Sequence, residues 1–227
     1  MDSAIFVIVP AHNEEPLIRS TLESLLKYDY AIVVLDDGSK DRTWELASQL
    51  HVYLLRHPIN LGQGAALKTA TVFALGHGAE YIVHFDADGQ HRAEDIEILL
   101  EPLYKNQSDV VLGSRFLRPS DAQAVPTIRR IFLKGAVMVN GLLTGIWLTD
   151  AHNGFRALNR EAAQKIKLRE NGFAHATEII AEIRRNKLRY EEKPTHITYS
   201  QYSLMKGQSL WNSLNILIDV FLRKVFR

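Results

Sequence analysis

Through about Arg115 the chain alternates short apolar runs with segments of helical spacing, and that alternation narrows the fold more than any other feature. Apolar runs stand at Ile5–Val9, Ala31–Leu35, Val52–Leu55, Tyr81–Phe85 and Asp109–Leu112. Between them, Glu15–Leu26, Arg42–Leu50, Ala65–Gly76 and Glu94–Tyr104 repeat their apolar residues at the helical period. Strands that alternate with helices pack as βαβ units. The expected fold class is therefore α/β, a mainly parallel central sheet flanked by helices on both faces. In such sheets ligands gather beyond the carboxyl ends of the strands. Three runs end there in polar clusters, PAHNEE, DDGSKD and DADGQH, and their convergence argues for one site.

The rhythm changes in the second half. Pro126–Leu148 is long, apolar and helix-compatible, with Arg129, Arg130 and Lys134 near its start. TDAHNGFRAL reads as a compact polar loop. A helix is expected over Ala174–Asn186 and a strand over Tyr190–Tyr199. Ser209–Arg227 reads as a C-terminal helical extension with an apolar stripe and a basic end. Such a helix fits a membrane surface, a membrane-protein partner or the chain's own core.

Composition removes several classes. A net charge of +1 supplies no global field for nucleic acid. The absence of cysteine excludes disulfides, zinc–thiolate sites and cysteine nucleophiles. No charge-free apolar run reaches the length of about 18 residues that a membrane-spanning helix needs. The N-terminus has no basic stretch before its apolar run, so Ile5–Val9 is read as a strand and not as a signal peptide.

The polar clusters carry the chemistry. Asp86 and Asp88 follow a buried strand one residue apart, where like charges repel unless a cation intervenes. Mg²⁺ and Mn²⁺ favour such oxygen ligands and keep positions for phosphate and water. Gln90 and His91 are further candidate ligands, and a solvated turn is the alternative. In VVLDDGSKDRT a carboxylate can read a nucleobase N–H, or the acidic residues can serve turn and cap. In NLGQGAALKTA, Gly62 and Gly64 either admit a phosphate, with Lys68 one turn into the helix, or allow a close-packed helix start. That segment lacks the third glycine of a dinucleotide loop and does not follow the first strand, which argues against a Rossmann NAD site. Arg115 suits a phosphate or a surface ion pair. Asp150 and His152 are both candidate general bases.

Taken in order, VIVPAHNEE, VVLDDGSKDRT, NLGQGAALKTA, HFDADGQH, VVLGSRF and TDAHNGFRA resemble family 2 glycosyltransferases of the GT-A fold. The similarity runs from about Ile5 to Leu158 and points to the branch like dolichyl-phosphate mannose synthase. The resemblance implies an inverting, cation-dependent transfer from a UDP or GDP sugar to a polyprenyl phosphate or another membrane-associated glycan acceptor. It implies that Pro10, Ala11 and Glu14 line the nucleoside pocket and that Asp37 contacts the base. Asp86 then lies near ribose and metal, and Asp88 binds the Mg²⁺ or Mn²⁺ with Gln90. Arg115 and Arg156 face phosphate or acceptor, and Asp150 is the catalytic aspartate. The chain reads as one domain over 1–227: a nucleotide-binding half to 115, an acceptor-side half over 116–207 and the helix over 208–227. A cytoplasmic protein, peripheral at the cytoplasmic membrane face through the basic C-terminal helix, is the expected location. The alternative is a catalytically silent sugar-nucleotide-binding scaffold of a membrane glycan-assembly complex. A nucleotidyltransferase would want a glycine-rich basic loop after the first strand, and PAHNEE has neither feature.

Overall fold

The computed structural model describes residues 3–118, 127–151 and 153–198. Seven strands form one sheet in the order β3-β2-β1-β4-β6-β5-β7. They are β1 (Ile5–Ala11), β2 (Ala31–Asp37), β3 (Tyr53–His57), β4 (Tyr81–His84), β5 (Val110–Ser114), β6 (Arg156–Asn159) and β7 (Tyr190–Pro194). The helices are α1 (Ile18–Leu25), α2 (Thr43–Ser48), α3 (Gln63–Gly76), α4 (Ile96–Tyr104), α5 (Thr127–Thr144), α6 (Arg160–Lys165) and α7 (His175–Arg185). Neighbouring strands are parallel except β6, which runs antiparallel to both β4 and β5.

Each central strand is buried on both faces, which is why its sequence is a continuous apolar run rather than an alternating one. Odd and even residues serve different cores. Phe6, Ile8, Val33, Leu35 and Ile82 meet α3, α6 and α7, through residues such as Leu67, Ala70, Ala162 and Ile180. Val7, Val9, Ile32, Val34 and Val83 meet α1, α2 and α4 through Ile18, Leu22, Ala47, Leu99 and Leu103. Burial of each Leu or Ile contributes roughly 1.5–3 kcal/mol. The α1 stripe Ile18, Leu22 and Leu25 is fully buried, so Leu22→Asp would detach that helix.

The first-half elements lie where the periodicity puts them, with ends moved by a few residues. The second half departs more. TDAHNGFRAL is not all loop: its last residues are β6, inserted between β4 and β5, and α6 follows directly. The expected strand Tyr190–Tyr199 stops at Pro194; Thr195 N still donates to Ser114 O at 3.0 Å before the chain turns away. It then crosses to the turn after β4, where Ile197 bridges His91 and Thr198 N donates to Gln90 O at 2.9 Å. α5 ends at Thr144, short of Leu148, as Gly145 takes a left-handed φ of 73°. The C-terminal helix over 208–227 lies outside the described residues. Among them, no helix is long and apolar enough to cross a membrane.

Candidate functional site

The polar strand ends converge as the sequence suggests, but their carboxylates are used very differently. After β2, Asp37 is 3% exposed and fully engaged. Its Oδ1 accepts from Leu61 N at 3.0 Å and pairs with His57 Nδ1 at 2.7 Å; its Oδ2 accepts from Gly62 N at 2.7 Å. Asp36, fully buried, accepts from Ser39 N at 3.0 Å, and Arg56 Nε lies 3.0 Å from its Oδ2 as an ion pair off the hydrogen-bond line. Asp41 accepts from Thr43 N and from Glu15 N, at 3.0 and 3.1 Å. The loops after β1 and β2 are thus sewn together, with Asn13 N donating to Ser39 Oγ at 2.9 Å and Glu14 N to Thr43 Oγ1 at 2.7 Å. Pro10, Ala11 and Glu14 are buried along that seam.

Asp37 therefore anchors the 61–62 backbone through both oxygens. Its bonds also decide the glycine question. Gly64 N and Ala65 N both donate to Asn171 O, at 2.7 and 3.2 Å, so the start of α3 is already capped. A Cβ on Gly64 would stand 2.0 Å from Glu170 O. The glycines serve close packing rather than phosphate. Lys68 is exposed on α3. It sits five residues after Gln63, about 140° round the helix at ~100° per residue. Gln63 is the α3 residue that reaches the site, donating through Nε2 to Asp86 Oδ1 at 2.9 Å.

After β4 the balance is different. Asp86 has both oxygens engaged, Oδ1 by Gln63 and Oδ2 by His91 Nε2 at 3.0 Å, and its side chain is 28% exposed. Burial pushes its carboxyl upward. The hydrogen bond and charge of His91, with Arg156 and His175, outweigh that and hold it below the usual carboxylate range. Gly154 lies so close that a Cβ there would meet Asp86 Oδ2 at 2.3 Å. Each Asp86 oxygen thus carries one protein hydrogen bond, on a side chain that is still partly exposed. Among the described residues the Asp88 carboxylate accepts hydrogen bonds only within its own turn, from Gln90 N at 3.1 Å and Gln90 Nε2 at 2.6 Å, and the charge of His91 acts on it without a bond. Burial first, and then the charge of Asp86, raise its carboxyl to about 6.

That carboxylate and the Gln90 amide suit a Mg²⁺ or Mn²⁺ ion. Both are oxygen donors, and Asp88 carries charge that its surroundings do not neutralise. Among the described residues no three His, Asp or Glu side chains form a metal cage. A cation here would take its remaining ligands from phosphate and water. The segment after β7 flanks this turn, Thr198 N donating to Gln90 O at 2.9 Å and His196 N to Asp95 Oδ2 just beyond it at 2.7 Å.

Beyond β5 lies a further carboxylate. Asp150, 2% exposed, forms a two-pronged pair with Arg115: Nε to Oδ2 at 2.6 Å and Nη2 to Oδ1 at 2.7 Å. Arg115 N adds a bond to Oδ2 at 3.2 Å. Glu192 on β7 fixes the loop from behind, accepting from Thr149 N at 2.9 Å and Asp150 N at 3.1 Å. In this arrangement Asp150 accepts from Arg115 on both oxygens, and the Arg115 fork is directed at that carboxylate. His152 lies outside the described residues.

Arg156 does reach the site edge. It opens β6 opposite His84, and burial pushes its guanidinium down to about 10 against the charge of Asp86. His84 is buried and neutral, its imidazole driven to about 3 by burial and then by the charges of Arg156 and His175. Gln63, His84 and Glu192 were not singled out from sequence. A polar residue just inside a helix start, or one interrupting an apolar strand as in YIVHF, is the available signal.

Comparison with known proteins follows the same lines. The family model described as Glycosyl transferase family 2 matches residues 6–167. An uncharacterized protein of Methanocaldococcus jannaschii is 36% identical, over 98% of this chain and 93% of its own. The UDP-N-acetylglucosamine–dolichyl-phosphate N-acetylglucosaminyltransferase of Methanococcus voltae is 29% identical, over 99% of this chain and 97% of its own. A dolichol-phosphate mannosyltransferase of Pyrococcus furiosus is 32% identical, over 92% of this chain but 61% of its own. The Mycobacterium tuberculosis glucosyl-3-phosphoglycerate synthase, crystallised with Mn²⁺, UDP and glucosyl-3-phosphoglycerate, superposes with a TM-score of 0.70. It is 18% identical over 96% of this chain and 77% of that one, a likeness of fold.

Proposed function

The chain belongs to glycosyl transferase family 2 and has the GT-A fold, and on that premise we propose that it moves a sugar from a uridine or guanosine diphosphate to a polyprenyl phosphate, with inversion. The joined loops after β1 and β2 supply the wall for the nucleoside, with Pro10, Ala11 and Glu14 on it. Asp88 and Gln90 would hold a Mg²⁺ or Mn²⁺ ion. When bound, that ion neutralises charge developing on the departing diphosphate. Arg156 lends positive charge at the same edge. The attacking oxygen approaches the anomeric carbon from the face opposite the diphosphate; its bond forms as the sugar–diphosphate bond breaks, and the diphosphate leaves with the electron pair.

The observation that carries the choice of acceptor is the Arg115–Asp150 pair. An alcohol acceptor needs a base to take its proton. Asp150 has both oxygens engaged by Arg115 and is 2% exposed, so a hydroxyl does not reach it in this arrangement. A monoester phosphate is already anionic at neutral pH, its second ionisation lying near about 6. It needs orientation, not deprotonation. The names of the M. voltae and P. furiosus relatives, which specify dolichyl and dolichol phosphate, support the same class. The protein works at a membrane surface, where exposed Met138, Leu142 and Trp147 are apolar enough to meet lipid.

The test offers radiolabelled UDP-N-acetylglucosamine, UDP-glucose and GDP-mannose with Mn²⁺ to dolichyl phosphate and, separately, to dolichol. Label entering the organic phase with the phosphate alone is the expected result. Equal labelling of the free alcohol would overturn the acceptor assignment.

A further inference from the structure

His84 and Arg156 face each other across β4 and β6, paired in antiparallel register. Cross-strand partners project from the same face of the sheet. That face is the one carrying Ile82 and Leu158, which lie two residues away on each strand. Both residues are 4% exposed. Each keeps a buried nitrogen without a hydrogen-bond partner among the described residues. His84 makes no hydrogen bond among the described residues, and its Nδ1 is sealed from solvent. Arg156 Nη1 is likewise buried without a partner, and its guanidinium has only a 3.3 Å bond from Nε to Asn153 O.

Buried polar atoms in native proteins almost always have partners, so two orphans on one face call for an explanation. The pair adjoins Asp86, at the edge where the strands present ligands. A guanidinium offers donors only, whereas a neutral imidazole offers one N–H and one lone pair. Together they match a group that both accepts and donates. A hydroxyl does this; a carboxylate cannot donate and would meet the like charges of Asp86 and Asp88.

We propose that His84 and Arg156 are the pocket for a hydroxyl of a neutral transferred sugar, and that His84 is a specificity-determining residue for the donor. The inference rests on the glycosyl-transfer reading and deepens it. The hydroxyl accepts from Arg156 Nη1 and exchanges one hydrogen bond with the imidazole. An epimer that turns the hydroxyl away leaves both buried groups unpaired, which is how a built polar pocket rejects a near-identical substrate.

Calorimetry on the full chain with Mn²⁺ tests this, using UDP, UDP-glucose, UDP-galactose and UDP-N-acetylglucosamine, with GDP and GDP-mannose as the second base. Wild type should prefer one sugar nucleotide over others sharing its base. In His84→Met that preference should shrink about tenfold, equivalent to roughly 1.4 kcal/mol, while affinity for the bare nucleoside diphosphate stays unchanged. Unchanged nucleotide binding also reports that the variant is folded. His84→Gln, which keeps a donor and an acceptor, should recover part of the preference. Full discrimination in His84→Met with normal nucleotide binding would overturn the assignment and leave the transferase reading standing. Failure of the wild type to bind any nucleoside diphosphate would overturn both.

Discussion

The turn after β2 and the turn after β4 each bring carboxylates close together: Asp36 and Asp37 in one, Asp86 and Asp88 in the other. In the first, every charge has been claimed. Asp37 holds His57 and two backbone N–H groups, and Asp36 holds Ser39 N and faces Arg56. In the second, Asp86 is claimed by Gln63 and His91, and Asp88 is left with its own turn. The upward shift of Asp88 to about 6 records the difference. Acidity at a strand end is therefore not the mark of a binding residue. The mark is a carboxylate whose charge the fold leaves unbalanced.

That contrast can be broken by exchanging the roles. Replacing the unbalanced group, Asp88→Ala, is expected to cut sugar transfer by roughly 10²–10³-fold, the scale of losing one electrostatic contact to the reacting group. Its melting temperature should not fall. Replacing the claimed group, Asp37→Ala, should do the reverse. It strands Leu61 N and Gly62 N and lowers stability by about 3 kcal/mol, read by denaturant titration. Transfer per folded molecule should stay within about threefold, since the bonds Asp37 makes go to His57 and the 61–62 backbone. Stability loss in Asp88→Ala with none in Asp37→Ala would erase the distinction.

Acid sharpens it. The folded carboxyl of Asp88 is raised above its ordinary value, so its contribution favours folding at low pH and is lost as pH rises from about 4 through about 6. Asp88→Asn should therefore gain on the order of 1–3 kcal/mol relative to wild type above pH 6. A cation competes with the same proton. Mn²⁺ affinity in the presence of UDP should fall about tenfold per pH unit below 6, and titration calorimetry across that range checks the slope. The smallest effect is expected at Lys68. Exposed and turned from Gln63, Lys68→Ala should change KM for the donor by less than about twofold.

Much of this was legible in the chain. The continuous apolar runs fixed β1, β2 and β4, because strands buried on both faces cannot alternate. The polar endings of those runs located the site edge. β6 was hidden for a physical reason. Its four residues RALN have neither an apolar run nor a period, and they become a strand only because β4 and β5 supply ladders on both sides. The roles of individual carboxylates were hidden for another reason. Asp37 and Asp88 look alike in sequence, and what separates them is partners drawn from residues 57–62 in one case and, among the described residues, hydrogen bonds within the turn alone in the other. Asp150 shows the same limit: its neighbour Arg115 lies thirty-five positions earlier.

The central claim is that Asp88 recruits the cation through which the diphosphate is bound. Calorimetric titration of UDP and GDP into wild type and Asp88→Asn, each with Mn²⁺ and with chelator, tests it directly. The account expects tight binding of one nucleotide to wild type with Mn²⁺ and weak binding in the other three conditions. Equal binding in all four would contradict it.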